Sequence, residues 1–233
     1  MTKQKDFEIY LCIENDRFKI FLLDTVIFKN LYINELLIDN TLKTDFDELS
    51  KFLDDNIFKI EKLSNKFIED IFLIIDTNIV LQTNISIKKK NNNNVVDQNS
   101  LNKVLVELKD LFKENNKDQY IMHMLIANFI LNEKNYKTFV ENLRSEYLNL
   151  DVNFISLPNE FIFKYNKVLE RYQIKAKYFM SGKYLKNFLN DEDLELSFMA
   201  HKILNGYNSN EIAIVPKNKA NKGFFEKFFQ LFS

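Results

Sequence analysis

The side chains in this 233-residue sequence best suited to acid–base, nucleophilic or metal chemistry are few. His123 and His201 are its only histidines and Cys12 its only cysteine. A zinc site or a catalytic triad needs partners at recognisable spacing, and neither histidine has them. His123 lies in an apolar strand and reads as a satisfied structural histidine. His201 lies on an amphipathic helix and reads as surface or half-buried. Cys12 sits inside the first strand, where an inert core thiol is expected. Ser181-Gly182 lacks the flanking pattern of a nucleophile elbow. Asp54-Asp55 and Asp191-Glu192-Asp193 stand beside other charges and read as solvated surface; an acid/base pair needs a cleft. Asp24 and Asp76 follow apolar strands, where α/β proteins collect ligands. A capping or turn role is expected for both.

Phosphate chemistry is argued against more strongly. A phosphate-cradling loop needs glycine so that backbone N–H groups can approach the anion. The chain has three glycines, Gly182, Gly206 and Gly223. No P-loop and no GxGxxG can be written from them.

The strongest binding chemistry lies in Gly223 to Ser233, GFFEKFFQLFS. At about 100° per residue, Phe224, Phe225, Phe228, Phe229, Leu231 and Phe232 fill an arc of about 160°. Glu226, Lys227 and Gln230 fall opposite. A polar stretch carrying Lys217, Lys219 and Lys222 precedes it. A basic tether ending in an aromatic amphipathic helix reads as an interfacial anchor, with the apolar arc inserted and Lys222 and Lys227 at the headgroups. Packing on its own domain and docking in a partner groove are the alternatives. Interfacial burial of these side chains is worth several kcal/mol, at ~1.5–3 each when fully buried. Each nearby lysine adds ~1 kcal/mol on an anionic leaflet. The cost of ordering the helix makes such an anchor weak and reversible, so self-association that gathers several tails would strengthen it.

The totals bound what surrounds these residues. With 46% hydrophobic residues the chain can bury a core, and a net charge of −1 gives no basic field for nucleic acid. One cysteine excludes an internal disulfide framework and fits a reducing compartment. The opening MTKQKDFEIY has no apolar core behind its charges, so no signal peptide is expected. No run of 18 apolar residues occurs, so no spanning helix is expected. Asn and Lys are so abundant that single ones are weak evidence.

The elements that must position these residues alternate in type. Phe7 to Ile13 and Phe18 to Leu23 read as a hairpin around Glu14-Asn15-Asp16-Arg17. Further strands are expected at Val26 to Ile33 and Glu35 to Ile38. Asp45 to Ile60 has a helical period, with Thr44 or Asp45 as its cap. Asp70 to Ile75 is a continuous apolar run, hence a buried strand, and Ile79 to Ile87 is another. Lys88 to Asn94, KKKNNNN, reads as a solvated loop. Asp97 to Lys113 is the clearest helix. Tyr120 to Leu131 reads as a strand, Tyr136 to Tyr147 as a helix and Leu150 to Leu157 as a strand. Pro158 opens a helix to Tyr172. A strand at Ile174 to Met180 and helices at Tyr184 to Leu189 and Leu194 to Leu204 complete the pattern. The class is α/β (α+β).

In order and in local strings the chain resembles the bacterial division protein FtsA, a membrane-tethered member of the actin-like ATPase superfamily. The hairpin YLCIENDRFKIFLL, the following helix and the strands to Ile87 are similar to that family's first subdomain. Asp97 to Lys113 resembles the helix of its inserted subdomain. YIMHMLIANFILN resembles that subdomain's His-centred strand, with His123, Phe129 and Asn132 at matching places. LDVNFISLPNEFIFKYNKVLERYQIKAKYFMSG resembles the next strand, helix and strand, and a linker then leads to an amphipathic helix.

Glu14, Asn15 and Asp16 replace the family's phosphate-cradling turn, and the second phosphate loop and Gly-rich adenosine motif have no counterpart. The second lobe, which completes the ATP cleft and carries the FtsZ-docking surface, is absent from this sequence. The resemblance implies a truncated actin-like domain: a first subdomain (1–81), an inserted αβ subdomain (82–189), a helix (190–204), a flexible linker (205–222) and the amphipathic helix (223–233). It implies a non-catalytic adaptor without cofactor, cytoplasmic and peripheral on the inner membrane. Expected partners are an anionic membrane surface, division proteins, with FtsZ among the family's partners, and the chain itself. A scaffold for a pilus or secretion platform and a residual ATPase are the alternatives.

Overall fold

The computed structural model describes residues 6–38, 45–140, 142–191 and 193–212. It is a mixed α/β protein with two sheets and, among the described residues, five helices. The chain divides into two compact units, one of residues 1–80 and 157–202, the other of 81–156 and 203–233.

The first unit is built on strands β1 (Phe7–Glu14), β2 (Arg17–Asp24), β3 (Lys29–Leu37), β4 (Asp70–Asp76) and β9 (Lys175–Ser181). They lie in the order β3-β2-β1-β4-β9. β1 and β2 form the expected antiparallel hairpin, while β1, β4 and β9 run parallel. Parallel neighbours need crossovers, and helix α1 (Phe46–Ser64) supplies the one before β4. Asp45 caps α1 by accepting from the N–H groups of Asp47 and Glu48 at 3.0 Å. Asn56 of α1 is buried, and its side-chain oxygen accepts from Tyr32 and Asn34 of β3 at 2.7 Å. This pins the edge strand to the helix. Helix α3 (Asn159–Glu170) leads into β9, followed by α4 (Gly182–Leu189) and α5 (Leu196–Leu204).

The second unit holds the order β5-β8-β6-β7, with β5 at Leu81–Val96, β6 at Gln119–Leu131, β7 at Lys134–Tyr136 and β8 at Leu143–Pro158. Helix α2 (Gln98–Asn115), capped by Asp97 through the Ser100 N–H at 2.8 Å, lays Leu101, Leu105, Leu108 and Phe112 on the sheet. Phe112 stacks on Phe154 at 4.6 Å.

Four expectations are corrected. Val26 to Phe28 form the β2–β3 turn rather than a strand, and Lys29–Leu37 is one continuous strand. KKKNNNN is part of β5, paired to β8 across a bulge between Lys90 and Asn94. Asn92 and Asn93 take φ of 50° and 58° there, a region that Asn tolerates better than most residues. The described residues between Tyr136 and Tyr147 are not helical, because Leu143 to Tyr147 pair with β5 in an extended ladder that overrides a weak helical pattern. Finally, β9 pairs with β4, so 157–189 belongs to the first unit rather than to an inserted subdomain reaching 189.

The linker expected from residue 205 is also anchored at its start. Asn208, Glu211 and Ile212 are buried. Residues 210–212 pair with β6 through Ile126 N–H to the Asn210 carbonyl at 3.0 Å and Ile212 N–H to the Met124 carbonyl at 2.8 Å. The buried His123 meets Glu211 at 3.0 Å through Nδ1. That contact gives His123 its structural role.

Candidate functional site

Three parallel strands end on one side of the first sheet, the side on which open α/β sheets place ligands. Their last residues are Glu14, Asp76 and Ser181. The Ser181 hydroxyl caps α4 by accepting from the Tyr184 N–H. A Cβ added to Gly182 would stand 2.6 Å from the Asp76 Cβ, so a close approach of helix to strand dictates this glycine. One turn further, the Lys186 ammonium donates to Glu14 Oε1 at 2.7 Å and to Asp76 Oδ2 at 2.6 Å.

The β1–β2 turn closes the other side. Arg17 pairs with Glu14 at 3.3 Å and with Asp16 at 3.1 Å. Lys19 donates to Glu195 at 3.0 Å. Glu14, Asp16, Arg17, Lys19, Asp76, Lys186 and Glu195 line a cleft of about 860 Å³, together with the apolar Phe21, Leu194, Leu196 and Met199. Five carboxylates (Glu14, Asp16, Asp76, Asp191, Glu195) face three cations (Arg17, Lys19, Lys186) across it.

The electrostatics follow from those pairings. Burial acts to lower the pKa of Lys186, but its hydrogen bonds to Asp76 and Glu14 outweigh that and hold it above its usual range. The Arg17 hydrogen bond holds Asp16 below the usual carboxylate range. Burial, then the nearby Glu14 charge, pushes the Cys12 thiol well up, which disfavours the thiolate.

This arrangement is poorly suited to phosphate. Each of the three cations is engaged by a carboxylate, and the lining carries more negative than positive groups. An anion nest needs backbone N–H groups turned inward by αR–αL alternation. No residue from Glu14 to Arg17 has a positive φ. Among the described residues no group of three or more His, Cys, Asp and Glu is placed to hold a metal ion.

The other sequence candidates fall elsewhere. Asp24 is buried and accepts from the N–H groups of Val26 and Ile27 at 3.0 and 3.2 Å, a turn role. Asp54 accepts from the Tyr172 hydroxyl at 2.8 Å. Burial, and then this bond, push the Tyr172 pKa upward. His201 Nδ1 meets Glu8 at 2.6 Å. Phe224, Phe225, Phe228, Phe229, Leu231, Phe232, Lys222 and Lys227 lie outside the described residues. Of the cleft, the sequence singles out the Glu14–Arg17 turn, Asp76 and the acids around 191. Lys186, Lys19 and Glu195 in the cleft, and Glu211 in the second unit, carry no local motif. Gly182 is the available signal, a rare glycine directly after a strand.

No family model matches the chain, and no curated protein matches it. Several solved structures are similar in backbone. One is the cytoplasmic domain of EpsL, an inner-membrane component of the type II secretion system of Vibrio cholerae (7% identity, TM-score 0.41, 77% of this chain and 59% of that one). Another is a Bacteroides thetaiotaomicron protein with an actin-like ATPase fold and unknown function (14%, TM-score 0.39, 80% and 57%). A third is a PilM–PilN type IV pilus biogenesis complex (10%, TM-score 0.49, 79% and 50%). The chain thus spans between half and three fifths of each of these.

Proposed function

We propose that the chain is a non-catalytic, actin-like scaffold that holds a membrane-bound assembly together from its cytoplasmic side. The observation that carries the reading is Lys186. Its ammonium bridges Glu14 and Asp76 at the carboxyl ends of β1 and β4, so the charges at that end of the cleft are satisfied by internal ion pairs. A protein whose cleft charges pair with one another is better fitted to binding partners than to turning over nucleotide.

Two branches share this geometry: a scaffold for a pilus or secretion platform, and a division adaptor. The first is taken up ahead of the second, in keeping with the platform components among the similar structures named above. Membrane attachment is assigned to the Phe224–Phe232 arc with Lys222 and Lys227. Among the described residues no helix is long and apolar enough to cross a membrane.

Calorimetry with Mg-ATP is expected to give no binding heat, and saturable binding would sink the non-catalytic reading. Anionic vesicles should pellet the full chain and leave a chain ending at Lys222 in solution. Co-purification from the native host separates the branches: pilus or secretion proteins support the first, division proteins the second.

A further inference from the structure

β3 ends the first sheet on one side, and among the described residues no strand pairs with its outer edge. The free N–H and C=O groups of such an edge accept another extended chain, so edges are normally blunted by lysine, proline or a bulge. β3 is blunted at one end only. Leu22 faces Tyr32 but Leu23 faces Asn30, so Leu31 is the extra residue of a bulge. Beyond it, Tyr32 to Leu37 pair with β2 in unbroken register and include neither proline nor lysine. Side chains alternate between the faces of a strand, so Ile33, Glu35 and Leu37 share one face. Ile33 is 45% exposed and Leu37 66%.

This pattern is its own complement. When two copies of a strand meet antiparallel across a two-fold axis, the residue on the axis faces itself. The residues two before and two after it then face each other. With Glu35 on the axis, Ile33 of each copy faces Leu37 of the other, and both exposed apolar side chains are covered. A slide of two residues either way sets Glu35 against Ile33 or against Leu37, a charge against an apolar partner. A slide of one residue brings opposite faces together. The cost of the centred register is the meeting of two Glu35 carboxylates. Lys19 and Arg17 of β2 lie 3.9 and 4.0 Å from Glu35 and offset that repulsion in part.

We propose that two copies of this chain associate through the β3 edge, antiparallel and centred on Glu35, so that the first sheet runs from one copy into the other. A pairing of this length lies at the small end of specific interfaces, so the dimer is weak and strengthens where an assembly gathers several copies. The inference rests neither on the C-terminal arc nor on the scaffold reading.

Sedimentation equilibrium of the full chain across the micromolar range should show monomer passing to dimer. Ile33→Lys with Leu37→Lys should weaken the dimer about tenfold or more, and Glu35→Gln, which removes the like-charge pair, should tighten it. Cysteine cross-linking with copper phenanthroline as oxidant reads the register, because the native Cys12 is fully buried. Residues directly opposite across antiparallel strands have Cβ atoms about 4.5–5.5 Å apart, so Glu35→Cys should join to its own counterpart. Ile33→Cys should not, because its counterpart lies about 13 Å away along the edge. A monomer at every concentration overturns the proposal and leaves the edge to an extended segment of another protein. A dimer that the double lysine variant leaves unchanged assigns association to another surface and also overturns it. Cross-linking at Ile33→Cys in preference to Glu35→Cys overturns the register.

Discussion

In the first unit β1 buries Ile9 to Ile13 without a break, whereas in the second β5 alternates exposed and half-buried residues from Gln82 to Lys90. Both are strands, but they answer to different surroundings. The first sheet is antiparallel from β3 to β1 and parallel from β1 to β9, and its central strands are buried on both faces, so Ile9–Ile13 and Ile71–Ile75 are continuous apolar runs. On β5 one face meets α2 through Ile85 and Ile87, and the other carries Asn84, Ser86 and Lys88. The edges differ as well. Lys88, Lys89 and Lys90 lie on the β5 edge and discourage pairing with another chain. The β3 edge instead exposes Ile33 and Leu37. One unit is organised around a charged cleft, the other around a buried histidine–glutamate pair that ties down residues 210–212.

That contrast can be broken at several points. The largest effect is expected in the core of the second unit. Phe112→Ala removes a fully buried ring stacked on Phe154 and should cost about 4 kcal/mol in urea unfolding. A cost below about 1 kcal/mol would mean that α2 does not carry this core.

Glu211→Ala comes next. It leaves His123 buried without its carboxylate and should cost about 3 kcal/mol. It should also speed amide exchange at Met124, Ile126 and Ile212. Unchanged exchange there would show that backbone pairing alone holds the segment.

Gly182→Ala acts on the first unit. The added Cβ must displace Asp76 or α4, at a cost of about 2 kcal/mol. Retained stability would show that the close approach relaxes freely.

Lys186→Met removes the bridging ammonium. Because the side chain is 45% exposed, the loss in stability should be only about 0.5 kcal/mol. A gain of nucleotide binding in this variant would show that Lys186 alone blocks the cleft.

Smallest is the pH effect of Glu8. Burial acts to raise its pKa, but hydrogen bonds from His201 and Tyr10, with the nearby positive charge, bring it below its ordinary value of 4.5. A carboxylate lowered in the folded state contributes stability above that value and loses it as pH falls further. Glu8→Gln should therefore flatten the acid side of the stability profile. An unchanged profile would mean that Glu8 is not one of the groups that set it.

Much of the fold was legible because local patterns and tertiary demands agree. The continuous runs FEIYLCI and DIFLII are buried strands, and the caps Asp45 and Asp97 lie where the helical periods begin. Legibility failed where side-chain identity was misleading. KKKNNNN looks like solvent loop, yet its alternation and bulge suit an edge strand with one polar face. Asparagine is so common that it reads as mere composition. In this glycine-poor chain it takes over the conformational role of glycine. Of the nine non-glycine residues with positive φ among those described, six are Asn (65, 92, 93, 132, 142 and 190).

The sequence by itself determined the α/β class, the opening hairpin, the principal helices and their caps, and the absence of a glycine-rich phosphate loop. Each depends on residues close together in the chain, whose periodicity or backbone preference acts locally. Only the tertiary structure decided that β9 returns to the first sheet, that Lys186 bridges Glu14 and Asp76, and that Glu211 closes on His123. The Lys186 contacts join residues 172 and 110 positions apart, and the histidine pair spans 88. Only the folded backbone, through strand pairing and burial, brings them together.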